Sequence, residues 1–146
     1  MGRIIAIDYG TKRTGIAVSD PLRIIATGLE NVPTANLGKW VKDYIAANNV
    51  DIIVIGKAVK MDGLPSDTLP AAEALAAKLE KEFPQITVVM FDERFTSVLA
   101  QRSIIESGVK KMQRRDKAAV DVVSATIILQ GFMDSRLYDE INKKQI

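Results

Sequence analysis

Histidine and cysteine are both absent from this 146-residue chain, and the double absence removes much of the usual catalytic repertoire. Without imidazole or thiolate there is no Cys/His zinc site and no Ser-His or Cys-His nucleophile pair. Any catalytic metal must be held by oxygen, which selects hard cations such as Mg²⁺ or Mn²⁺. Proton transfer falls to Asp, Glu, Lys or metal-bound water. The missing cysteines also exclude a disulfide scaffold and make a cytoplasmic location the expectation. Long apolar runs are lacking too: none nears the roughly 18 residues a membrane span needs, and the four apolar residues behind Arg3 are too few for a signal-peptide core. Aromatic residues make up 5% of the chain, so a base-stacking platform has little support. The net charge of +2 is too small to indicate a nucleic-acid partner, and the positions of the charges matter more.

What is present is ordinary for a globular protein, with 47% hydrophobic and 26% charged residues. A chain of this length can bury roughly two-thirds of its unfolded surface. No repeat, linker or low-complexity tract divides it, so residues 1–146 are expected to form one domain. Strands are expected at about 3–8, at Thr14–Asp20 and at Arg23–Val32, with a turn at Asp20-Pro21. Leu37, Val41, Tyr44 and Ile45 recur at helical spacing, which predicts a helix over Thr34–Asn49 with Thr34 as its cap. A strand over Asp51–Gly56 and an Ala-rich helix over Ser66–Phe83 follow, then a strand over Ile86–Glu93. Two further helices are expected, at about Thr96–Ser107 and Asp116–Leu137.

Three of the strands, Ile4–Ile7, Ile52–Ile55 and Ile86–Phe91, are nearly unbroken apolar runs, which suits central parallel strands covered on both faces. The first three strands are joined by short turns and should form an antiparallel meander. Two strand–helix crossovers complete a five-stranded mixed α/β sheet with helices on both faces, the ribonuclease H-like architecture. The acids fall where such a fold places a site. Asp8 ends the first buried strand and Asp92-Glu93 ends the last, so parallel strands bring them to one edge of the sheet. Asp121 lies on the apolar stripe of the last helix, formed by Ala118, Val122, Ala125, Ile128, Leu129 and Phe132. A charge there needs compensation. Lys117, one turn earlier, supplies one answer; a metal shared by Asp8, Glu93 and Asp121 supplies another. Three carboxylates without histidine read as a two-metal site for phosphodiester hydrolysis.

The stretches "DYGTKRTGIAVSD" (Asp8–Asp20), "MDG" (Met61–Gly63), "DERFTS" (Asp92–Ser97) and "KAAVDVVSATIIL" (Lys117–Leu129) resemble, in order, the motifs of the YqgF/RuvX family. Its members are described as Holliday-junction-resolvase-like proteins and as nucleases for pre-16S rRNA. The resemblance covers essentially the whole chain. It implies the ribonuclease H-like fold and carries Asp8, Glu93 and Asp121 over as metal-binding catalytic acids. One stretch departs from the family pattern: in "GKAVKMDG", Lys57 and Ala58 replace Leu-Pro, and Lys60 stands where Asn is usual.

Basic residues surround the expected site. Lys12 and Arg13 follow Asp8, Arg94 follows Glu93, Lys57 and Lys60 occupy the central loop, and Lys110, Lys111, Arg114, Arg115 and Lys117 lead into the final helix. They suit phosphate contacts, which are salt-sensitive and largely independent of sequence. The leading expectation is therefore a Mg²⁺- or Mn²⁺-dependent endonuclease, monomeric or dimeric, with no membrane partner. Its expected substrates are a ribosomal RNA precursor, met free or within ribosomal precursor particles, or a branched DNA junction. Two other readings compete. An ATP phosphotransferase would need a second Asp-x-Gly-Thr loop, which the chain lacks. A non-catalytic nucleic-acid binder would gain nothing from acids that face phosphate.

Overall fold

The computed structural model describes residues 2–57, 68–92 and 117–145, with residues 117–121 and 144–145 described through their backbone. Five strands form one sheet: β1 (Arg3–Asp8), β2 (Arg13–Ser19), β3 (Ala26–Pro33), β4 (Val50–Lys57) and β5 (Thr87–Asp92). Their order is β3-β2-β1-β4-β5. The meander β1–β2–β3 is antiparallel, while β4 and β5 lie parallel to β1. The helices are α1 (Leu37–Ala47), α2 (Leu69–Glu82), α3 (Lys117–Met133) and α4 (Arg136–Gln145).

Strand alternation divides the core in two. Ile5, Ile7, Ile53 and Ile55 pack with Leu37 and Val41 of α1 and with Ala72, Ala76 and Leu79 of α2. Their neighbours Ile4, Ala6, Ile52 and Val54 pack with Ala125, Ile128, Leu129 and Phe132 of α3 on the other face. The central strands are apolar at every position because both faces are covered. Each fully buried Ile side chain contributes about 1.5–3 kcal/mol. Trp40 and Tyr44 stack at 5.0 Å, 11° from parallel, against the α1/α2 cluster.

Three boundaries differ from the sequence expectation, each for a local reason. Residues Arg23–Ile25 form a turn and β3 starts at Ala26. The Asp20 carboxylate accepts the N–H groups of Ile24 (2.7 Å) and Ile25 (2.8 Å), and Arg23 takes a positive φ of 57°. Those N–H donors, that of Ile25 foremost, hold the Asp20 carboxyl below its ordinary value. Thr34 does not cap α1; it starts a 3-10 turn (Thr34–Asn36), and its hydroxyl serves the site below. The last helix is two helices. The Ser135 hydroxyl donates to Phe132 O (2.6 Å) and accepts the Tyr138 N–H (3.3 Å), closing α3 and opening α4. Ser66 and Asp67, Glu93 and the helix expected at Thr96–Ser107 lie outside the described residues.

Candidate active site

The parallel pairing of β1, β4 and β5 aligns their C-terminal ends. Ile7 is opposite Ile55, Gly56 opposite Phe91, and Lys57 opposite Asp92. Asp8 therefore stands at the tip of the central strand, half-buried, at the sheet edge where α/β folds bind ligands. Alternation assigns its face. Ile4 and Ala6 pack toward α3, so Asp8 belongs to the α3 face, whereas Tyr9 packs with Ile5 and Ile7 on the α1/α2 face.

The turn after Asp8 is tightly made. A Cβ on Gly10 would collide with the Arg13 carbonyl oxygen, so any side chain there forces the turn open. The turn is also tied to the end of β3. The Thr34 hydroxyl donates to Gly10 O (2.6 Å), and the fully buried Thr14 hydroxyl lies 2.9 Å from Thr34 Oγ1. Since Thr34 has given its one proton to Gly10, Thr14 is the donor in that second bond. The Thr34 N–H donates to Lys12 O (3.0 Å). These contacts fix the turn that carries the exposed Lys12 and Arg13 beside Asp8. Sequence reasoning missed Thr14 and Thr34 as positioning residues. They are 20 positions apart, and no local pattern links them.

Asp121 lies within α3, four residues before the fully buried Ala125 and seven before Ile128. It immediately precedes Val122, where α3 meets β3. The helix lies across β1, β2 and β3, and it approaches β3 closely at Gly28. A Cβ on Gly28 would stand 2.5 Å from Val122 Cγ1 and 3.0 Å from Thr126 Oγ1. Of the other residues singled out in the sequence, Glu93, Lys60, Arg94, Lys110, Lys111, Arg114 and Arg115 lie outside the described residues. Lys117 begins α3. Lys57 is half-buried at the end of β4, on the face of Ile53 and Ile55, which is opposite that of Asp8. Among the described residues no three acids gather into a metal-binding group.

A mixed sheet in the order 3-2-1-4-5, with an acid at the tip of the central strand and helices on both faces, defines a ribonuclease H-like protein. Thermus thermophilus RuvC, solved in complex with Holliday junction substrate, shares the fold with a TM-score of 0.56 and 15% identity, covering 97% of this chain and 96% of that one. The family profile described as "RuvX: Holliday junction resolvase" matches residues 2–135. This chain belongs to the RuvX family. It is 48% identical over 138 residues to a Parabacteroides distasonis protein named "Putative pre-16S rRNA nuclease", covering 94% of this chain and 99% of that protein. A Porphyromonas gingivalis protein of the same name is 50% identical over 135 residues, covering 92% and 98%.

Proposed function

We propose that this protein is a divalent-metal-dependent endonuclease that hydrolyses phosphodiester bonds in structured RNA and processes the 5′ end of pre-16S rRNA. The observation that carries the reading is Asp8 at the tip of the central strand, on the face covered by the helix that bears Asp121. Glu93, the third acid of the proposed set, follows Asp92 in the sequence. The two relatives' shared name supports RNA as the substrate.

The donor set fits a hard cation. All three groups are carboxylates, and the chain has no histidine or cysteine to favour a softer metal. Asp8, Glu93 and Asp121 would hold Mg²⁺ or Mn²⁺, which when bound activates water and stabilises the leaving oxygen. The chain's own residues orient the substrate. Lys12 and Arg13, on the fixed turn beside Asp8, draw phosphate to the edge.

The family description and the fold shared with RuvC favour a second reading, cleavage of a four-way DNA junction. One experiment separates the two. The protein and its Asp8→Asn variant are incubated with a labelled pre-16S 5′ region and a labelled four-way junction, with Mg²⁺, Mn²⁺ or EDTA. The expected result is metal-dependent cutting of the RNA that falls by at least about 100-fold in the variant, since the acid acts on the transition-state charge. Preferential cutting of the junction selects the second reading. Cutting that survives the variant removes Asp8 from the mechanism.

A further inference from the structure

On the sheet face opposite α3, an open groove of about 810 Å³ runs between α1 and α2. It adjoins the candidate active site, because Tyr9, the residue after Asp8, lines it together with Thr34. Leu75 and Phe83 give it an apolar floor, and both Tyr9 and Phe83 are partly exposed. Lys39 and Lys42 line it from α1, and Lys78 from α2; all three are exposed, and Glu82 is the one acid among the described lining residues. The Lys78 ammonium reaches over the first turn of α1, 3.7 Å from where a Cβ on Gly38 would stand. Its contact with Glu82, at 4.0 Å, joins side chains that are 62% and 44% exposed, so the pair is weak and leaves the ammonium free to turn.

We infer that this groove binds a single-stranded stretch of nucleic acid continuing from the segment held at Asp8. The inference rests on the nuclease reading for its substrate class. Three cations facing one acid match a phosphate backbone, and two partly exposed rings on an apolar floor match unpaired bases. A duplex keeps its bases stacked inside and leaves the rings and floor uncovered. The aromatic residues are few, but folding places two of them, separated by 73 intervening positions, in one lysine-lined channel.

The test measures binding separately from cutting. Fluorescence anisotropy in EDTA follows a labelled single-stranded RNA of about twelve nucleotides, within the usual span of single-strand sites, and a duplex of the same length, across a range of salt. The triple variant Lys39→Gln, Lys42→Gln, Lys78→Gln removes charge without touching the core. Its plot of log affinity against log salt is expected to flatten by about 2, since each phosphate contact on a single strand contributes about 0.7. Its single-strand affinity should fall at least about tenfold, with duplex binding nearly unchanged. Tyr9→Leu, which keeps apolar packing but removes the ring, should weaken single-strand binding about tenfold. Lys81→Gln on α2, outside the groove, should change neither. Equal single-strand binding by wild type and triple variant overturns the inference, as does a wild type that binds no single strand. If the groove binds as expected but the protein cuts nothing with metal present, the nuclease reading fails and the groove stands.

Discussion

Arg23 is the residue whose position is hardest to foresee from its surroundings, a charged side chain at a turn between two strands. It is 1% exposed in its side chain. Its guanidinium bonds the Asp51 carboxylate (2.8 Å), Gly2 O (2.9 Å) and Asn142 Oδ1 (3.3 Å), and it lies 6.0 Å from the centre of the Tyr138 ring. Asp51 also accepts the Gly2 N–H at 2.6 Å. One side chain thus joins the start of β1, the start of β4 and helix α4. Breaking such a pair leaves a carboxylate without its cation; because Asp51 is one-third exposed, the cost is expected at about 2–4 kcal/mol, below that of a fully buried pair. Arg23 also sits at φ 57°, a conformation glycine tolerates and alanine does not. Arg23→Gly is therefore expected to be more stable than Arg23→Ala by about 0.5–1 kcal/mol, the reverse of the usual order. Urea unfolding of the two variants checks this, and alanine ranking above glycine would show that the turn has no such demand.

At the scale of elements, the packing of α3 on the meander connects stability to the site. Gly28 is a point of close approach between β3 and this helix, and Asp121 immediately precedes Val122, which lies against it. Gly28→Ala forces either Val122 aside or the helix outward. The expected cost is about 1–3 kcal/mol, as for other overpacked contacts. Because a displaced α3 also displaces Asp121, cleavage should fall by more than the unfolded fraction explains. Thermal unfolding and cleavage rates measured well below Tm check the two effects separately. A variant that loses stability but keeps its full rate would show that the register of α3 does not govern the reaction.

For the whole molecule, the fold is a single sheet between two helical layers, and the proposed acids come from both the sheet and α3. A cation held by all three would cross-link those parts and stabilise the native state by mass action. At a concentration about 100-fold above Kd, the gain is about 2.7 kcal/mol. Mn²⁺ or Mg²⁺ is expected to raise Tm in the wild type and to do so far less in Asp8→Asn or Asp121→Asn. An equal rise in all three proteins would place the ion elsewhere.

Much of this was legible in the sequence. The unbroken apolar runs identified the central strands, short turns identified the meander, and Asp8 and Asp92, ending the first and last runs, marked the edge of the sheet. These features depend on periods of two or 3.6 residues and on turn chemistry, which neighbouring residues settle among themselves. Other features were decided only by tertiary structure. Arg23 meets Asn142 across 119 positions, Thr14 meets Thr34 across 20, and Tyr9 shares a groove with Lys78 and Phe83. The expected final helix shows the same division within one element: its apolar stripe predicted a helix, but the Ser135 hydroxyl ends α3 by bonding Phe132 O and starts α4 by accepting the Tyr138 N–H. Local pattern alone marked the buried strands and the acid at the tip of the first; folding settled which distant groups share a site, because a hydrogen bond or ion pair forms only where its partners have already been brought together.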